Sequence, residues 1–453
     1  MSLRPGGISV IAVAVLPAAL LTAGFSAGGA SDSSLRAGIS PTGHHAQTSK
    51  KKCRKKHKKK CRKRTSTTVT QPGPVTPAVP AGTEPATPGP PVYTVPANIP
   101  GDCSAPVENE IMAWLASVPD GSEVQFGREQ CYGQDGTITL TGRNDLVIDG
   151  QGSEFRALTL GGDHRSNWQF VGGSNLTVRD MAVRGSDPQG TYQAGFEWQH
   201  GYSVEGTQGM TLSNVQARET WGDGVYLWRG ASSPTCGDDA SSARNVLISG
   251  ATLERIGRQG VAVVDAEQVT LQDSTIGPVA WANVDLETDD DCEIARHVTV
   301  QNNSFGSNGW GVIVNIGHGG DPQVGDLSVI GNVQTAPTID TGILTPDPCR
   351  PPVTIRSPIG PPALYRDGYT FSGNQFLTPN NAFAFRQIRN INVSSNSVAF
   401  AQPAPTGCNS RAGVRLTDSH TVSILGNAFT GATAVYIKDA ASDTPTEAGN
   451  TTD

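Results

Sequence analysis

Apolar residues recur in short alternating runs along most of the chain, a spacing that predicts strands rather than helices. Four segments fit the frame apolar-x-apolar-x-x-Asn-x-apolar: VTVQNNSF from Val298, YTFSGNQF from Tyr369, INVSSNSV from Ile391 and VSILGNAF from Val422. LSVIGNVQ from Leu327 keeps the asparagine, whereas LTVRDMAV from Leu176, VLISGATL from Val246 and VTLQDSTI from Val269 keep only the apolar frame. Starts lie 23 (246 to 269), 29 (269 to 298) and 22 (369 to 391) residues apart, which suits one solenoid turn per repeat.

Each unit carries a second short strand, often after glycine: GVYLW, GVAVV, NVDLE, GVIVN, AFAFR and GVRLT. Strands this short cannot bury a face alone, so neighbouring coils must stack to complete the core. The asparagines Asn303, Asn332, Asn374, Asn396 and Asn427 are then expected to line up at one bend, bonding along the stack. One segment departs from the pattern. SAPVENEIMAWLASVPDG places Val107, Ile111, Trp114 and Leu115 at helical spacing, with Ser104 as a cap and Pro119-Asp120-Gly121 as the closing turn.

These repeats resemble those of the pectin-lyase-like superfamily over about residues 103–440. The resemblance implies an all-β chain: a right-handed single-stranded parallel β-helix with a short N-terminal capping helix. It leaves the activity open, because many chemistries share this scaffold.

Side chains alternate faces along a strand, so aligning the second strands projects a surface. The inward columns read Val225, Val261, Val284, Val312, Phe383, Val414 and Leu227, Val263, Leu286, Val314, Phe385, Leu416. The outward columns read Tyr226, Ala262, Asp285, Ile313, Ala384, Arg415 and Trp228, Val264, Glu287, Asn315, Arg386, Thr417. Just before these strands stand Trp221 and Asp223, Arg258 and Gln259, Trp281 and Asn283, then Trp310. Aromatic rings, carboxylates and arginines gathered on one elongated face suit a polysaccharide partner. Asp285 and Glu287 share one side of a strand, about 6.5–7 Å apart at the backbone, and Asp223 lies two coils away, about 10 Å. Such spacings suit paired carboxyls acting as acid and base on a glycosidic bond. GFEWQHG on an earlier coil adds Glu197 and His200 to the same candidate site.

Composition adds the setting. The chain opens with one arginine, an apolar run and small residues up to Ala30, the layout of a secretory signal over residues 1–30. Residues 31–64 become strongly basic, with 12 Lys and Arg in KKKCRKKHKKKCRKR. Residues 65–102 form a Pro/Thr-rich spacer, 103–440 the repeat domain and 441–453 a tail. Beyond residue 64 the chain has 20 basic and 40 acidic side chains and one lysine, Lys438. So acidic a body is a poor nucleic-acid binder, and the basic run is expected to contact an anionic cell wall or membrane surface. Eight cysteines fit an oxidising, extracellular setting. Sequential pairing is expected, Cys53 with Cys61, Cys103 with Cys131, Cys236 with Cys292 and Cys349 with Cys408, although sequence alone does not fix connectivity.

Two narrower resemblances bear on the chemistry. Asn283-Val284-Asp285, the run Asp289-Asp290-Asp291 and Gly317-His318-Gly319 echo polygalacturonase motifs, which would make His318 a substrate contact. The aspartate run comes too early, however, and no RIK follows. The pectate-lyase resemblance implies Ca2+ and an arginine base. Asp289, Asp290, Asp291 and Glu293 offer oxygen ligands, and Arg258, Arg229, Arg386 or Arg415 the base. Hydrolysis, elimination and binding without chemistry, as in an adhesion module, remain open at this level.

Overall fold

Short parallel strands gain a core only by stacking on copies of themselves, and the chain does so by coiling. The computed structural model describes residues 89–230, 241–289, 292–316, 324–337, 349–357, 365–402, 406–408 and 410–453. Among them, eleven strands build one all-parallel sheet, each pairing with the coil before and after it. Its central members are Tyr202–Glu205, Val225–Trp228, Val261–Val263, Ala282–Leu286 and Gly311–Asn315, followed by Val353–Arg356, Phe383–Arg386 and Ala412–Thr417. The remaining described strands form a second, bent sheet, whose two rows are joined by the long strands Val147–Ala157 and Ser174–Arg184. Together the sheets wind into a right-handed β-helix, and one continuous core of Val, Ile, Leu and Phe fills it.

The asparagine column forms as its spacing predicts. Backbone N–H and Nδ2 of Asn303 donate to Asn332 Oδ1, and Asn332 donates in the same way to Asn374. Asn374, Asn396 and Asn427 continue the ladder to Asn450, which the repeat frame did not reveal. Each amide thus satisfies the next buried bend, where an unpaired group costs about 1–3 kcal/mol.

The boundaries differ from expectation. The strand Val92–Thr94 lies inside the Pro/Thr-rich segment yet pairs with Glu123–Gln125. At the other end Thr446–Ala448 pairs with His420–Leu425, so the tail belongs to the last coil. The helix is Glu108–Ser117, with Ile111 and Leu115 in the core. Ser104 does not cap it. That residue sits in the strand Asp102–Pro106, and the helix starts at Val107 without a side-chain cap. The signal-like and basic segments lie outside the described residues.

Disulfides join Cys103 to Cys131 and Cys349 to Cys408. Cys292 is also disulfide-bonded, while Cys53, Cys61 and Cys236 lie outside the described residues. Among the described residues no helix is long and apolar enough to cross a membrane.

One coil is out of the expected register. Val284 pairs with Ile313 and Asp285 with Val314, one residue off the projected columns. A slip of one residue exchanges the faces of a strand. Asn315 therefore pairs with core residue Ile355 instead of facing outward, and it accepts a hydrogen bond from the buried Arg366 Nη1.

Candidate functional site

Three successive coils turn into the eleven-stranded sheet at Asp223, at Arg258-Gln259 and at Trp281, and these corners converge. Gln259 is the hub. Its backbone N–H donates to Asp223 Oδ1 at 2.9 Å, and its Nε2 donates to Asp285 Oδ2 at 3.2 Å and Glu287 Oε2 at 3.3 Å. Arg258 closes the cluster, with Nη1 3.2 Å from Asp223 Oδ2, Nη2 2.9 Å from Glu287 Oε2 and Nε 4.0 Å from Glu197 Oε2. Its guanidinium also lies 5.4 Å from the Trp281 ring centroid.

The excursion between Arg184 and Gly201 folds back onto these corners. It delivers Glu197 and also Tyr192, whose hydroxyl donates to Glu197 Oε2 at 3.0 Å and whose ring packs 4.9 Å from Trp281. A Cβ at position 222 would collide with the Glu197 carbonyl and the His200 ring, so Gly222 is what lets this segment approach. His200 Nδ1 accepts the backbone N–H of Asp223 at 3.1 Å and lies 3.2 Å from Asp223 Oδ2. Its ring stacks on Tyr226 at 4.2 Å. Beside this pair opens a cleft of about 300 Å³ lined by His164, Trp198, His200, Tyr226, Trp228 and Glu205.

Environment separates the two aspartates, although both are buried, Asp223 at 0% and Asp285 at 2% exposure. Burial and then the Glu287 charge push the Asp285 carboxyl well above the usual carboxylate range, against the weaker pull of Gln259 and Arg258. Asp285 thus keeps a proton where ordinary carboxyls have lost theirs. Burial also acts to raise Asp223, but Arg258 and His200 outweigh it and hold that carboxyl below its ordinary value. Burial disfavours the charge of Arg258, yet Asp223, Glu287, Asp285 and Glu197 together push its pKa up.

No family model and no curated protein matches the chain. Solved structures do match. The surface adhesin PfbA of Streptococcus pneumoniae superposes with TM-score 0.57 at 11% identity, over 77% of this chain and 94% of that one. Endo-xylogalacturonan hydrolase of Aspergillus tubingensis gives 0.55 at 16% identity, over 80% and 99%. The A-module of a mannuronan C-5 epimerase from Azotobacter vinelandii gives 0.50 at 10%, over 76% and 97%. The chain shares the parallel β-helix fold of these structures. Identities this low establish the fold and leave the activity to the site.

On this β-helix the expected site residues separate into groups. Asp223, Arg258, Gln259, Asp285, Glu287, Glu197, His200 and Trp281 come together as described. Trp310 packs edge-on against Trp281 at 5.6 Å, and Trp221 lies two coils before Trp281 with Nε1 donating to Ser186 Oγ. Tyr226 and Trp228 face the adjoining cleft. Asn283, expected to touch substrate, is buried and holds a bend instead: its Nδ2 donates to the Ile276 carbonyl and its Oδ1 accepts from Asn308. Asn315, likewise assigned to substrate, faces the core because of the register slip. Arg386 lies on the outer face but in a separate cleft farther along the β-helix.

Arg229 is committed to buried Asp265 at 2.6 Å. His318, Asp290 and Asp291 fall outside the described residues. Of the remaining acidic loop, Asp289 is exposed, and Glu293 turns inward to accept Trp228 Nε1 at 3.1 Å and the Asp289 backbone N–H at 2.5 Å. Among the described residues no group of three or more His, Cys, Asp or Glu is arranged to hold a metal ion; Asp290 and Asp291, on which the expected calcium site depends, are not among them. Tyr192 and Trp198 were missed. Both lie in the excursion before His200, outside any repeat, and only proximity to GFEWQHG could have suggested them.

Proposed function

We propose that the protein is an exported enzyme that cleaves a polysaccharide by acid–base hydrolysis at Asp285. What supports this most directly is the buried Asp285 carboxyl set beside Glu287 under the shared Gln259 amide, where burial and the neighbouring acid favour its protonated form. It would deliver its proton to the glycosidic oxygen as the bond breaks. Glu287 would serve as the partner carboxylate, acting on water or on the anomeric carbon. The fork of Gln259 keeps the Asp285 and Glu287 oxygens within about 6.5 Å of each other, near the separations of paired carboxyls in glycoside hydrolysis. Asp223, Glu287 and Glu197 outnumber Arg258, leaving a negative site that favours a cationic sugar at the transition state.

Elimination is the poorer fit. Arg258 is the arginine at the centre, and its acidic neighbours, Asp223 and Glu287 foremost, hold it charged and unable to take a proton. Trp281, Tyr192 and Trp310 offer ring faces for sugars, and Trp198, Tyr226 and Trp228 extend that lining. Export is supported by the signal-like opening and by the disulfides Cys103–Cys131 and Cys349–Cys408.

The test is product analysis on a panel of acidic and plant-type polysaccharides. The expected products are new reducing ends, lost in Asp285→Asn. An unsaturated, ultraviolet-absorbing sugar would replace hydrolysis by elimination. Binding without products on every glycan would leave an adhesion module, a reading for which the basic run near the N-terminus is the favouring feature.

A further inference from the structure

The last coils carry a second cleft that chemistry at Asp285 does not use. It continues the same outward column: Asp285 pairs with Val314, Val314 with Thr354, Thr354 with Ala384 and Ala384 with Arg415. Four rungs of about 4.8 Å place Arg415 about 19 Å from Asp285 along the helix axis. In the adjacent column Arg356 pairs with Arg386, and Arg386 with Thr417. The cleft measures about 470 Å³, and its polar lining is Arg356, Arg386, Arg415, Asn380, Asn381 and Thr417.

Its charges differ from those of most arginines in this acidic body. Arg143, Arg179, Arg184, Arg258 and Arg296 all sit on carboxylates. Arg386 and Arg415 make no side-chain ion pair or hydrogen bond among the described residues. Asn380 adds an acceptor. Its Nδ2 donates to the Cys349 carbonyl at 3.1 Å, while its buried Oδ1 receives no donor. Two open guanidiniums beside an unfilled amide oxygen match one kind of ligand, an anionic group with a hydroxyl next to it. Guanidinium forks take carboxylate or sulfate oxygens, and Asn380 Oδ1 takes the O–H.

We propose that this cleft binds an acid-bearing sugar residue, a uronate or a sulfate ester, of a polysaccharide lying along the helix axis. The inference rests on the proposed function only in treating that polysaccharide as the chain cleaved at Asp285. Binding itself requires no turnover.

The experiment is calorimetric titration of the full-length Asp285→Asn protein with length-matched oligogalacturonate, chondroitin sulfate oligomers and neutral cello-oligosaccharide. At least one acidic ligand is expected to bind about tenfold or more tightly than the neutral one, and the stronger of the two identifies carboxylate or sulfate. Adding Arg386→Ala or Arg415→Ala should weaken that binding about fivefold, the loss of one charge-assisted contact. Arg128→Ala, which removes another open arginine on the first coils, should change it less than twofold. Equal binding of neutral and acidic ligands overturns the proposal. So does an equal loss in Arg128→Ala, which would assign the binding to diffuse charge, and so does indifference to both cleft substitutions. Cleavage by the wild-type chain decides the proposed function separately: product without cleft dependence sinks only this inference, and cleft-dependent binding without product sinks only the hydrolase.

Discussion

Arg258→Leu isolates the charge balance on which the site depends. The guanidinium lies 3.2 Å from wholly buried Asp223 and 2.9 Å from partly exposed Glu287. Removing one partner of a buried pair costs about 3–5 kcal/mol, because the other charge stays behind without water. Leucine keeps much of the side-chain bulk and removes only the charged group, including its place over Trp281, so the loss should be mainly electrostatic. Its sign with pH follows from Asp223. In the wild type that carboxyl is depressed, so it contributes stability above its unfolded pKa and loses it as pH falls through the folded value. Without Arg258, burial dominates and raises the pKa, so the folded state then prefers the protonated form. The deficit should therefore be largest near neutrality and shrink toward about pH 4. Calorimetric scans at pH 7.5 and 4.5 measure it. At about 2 °C per kcal/mol, the variant should melt roughly 5–10 °C below wild type at pH 7.5 and by less than half that at pH 4.5. An equal deficit at both pH values would refute the charge argument and leave lost packing as the cause.

Asp285→Asn should lower kcat by about 10²–10⁴-fold, the usual worth of a positioned acid, while circular dichroism stays that of the wild type. Because the acid must carry its proton, the wild-type rate should fall as pH rises through the raised Asp285 pKa, and a rate still climbing at pH 9 would count against it. Asn374→Ala removes the acceptor for Asn332 N–H and Nδ2 and the donor to the Val329 carbonyl; denaturant titration should show a loss of about 2–4 kcal/mol. Replacing Cys349 and Cys408 by serine opens a 59-residue link and should lower stability by about 2–4 kcal/mol, read as a lower melting temperature than the wild type's without reducing agent.

The fold was legible because it is written in periodic residues. Val298, Tyr369, Ile391 and Val422 each begin a frame whose asparagine must meet the next, and neighbour-to-neighbour stacking makes that repetition equivalent to a core. The strand Val353–Arg356 carries no such frame, so the repeats do not announce it. With that rung missing, nothing constrained the register of Gly311–Asn315, and the slip that buries Asn315 against Arg366 stayed hidden. At the site, Asp285 in the strand and Glu287 just past its end could be found by alternation, since period 2 fixes their face. Asn283 shows the limit of that reasoning: it lies at the start of the same strand, next to the corner, and its amide is taken up by Ile276 and Asn308. The role of Gln259 was equally invisible, because linking three carboxylates depends on corners from three coils meeting in space.

The depth of these groups also bears on whether the face acts or merely adheres. A surface that only holds a glycan gains from carboxylates left in water, where they cost nothing to keep ionised and can still accept hydroxyl protons. Here Asp223 and Asp285 are withdrawn almost completely from solvent, and a buried ion carries a desolvation penalty of several kcal/mol unless it is compensated. Compensation is unequal. Asp223 receives Arg258, His200 and a backbone N–H, whereas Asp285 receives one amide shared with Glu287 and answers by holding a proton. Two carboxyls of one type, with pKa values pushed in opposite directions within reach of a single glutamine, are the arrangement that acid–base chemistry draws on. Adhesion has no use for that asymmetry, and structural packing would be served better by two apolar residues. The unequal treatment of Asp223 and Asp285, more than the number of acids on the face, is therefore the physical reason to look for a broken bond.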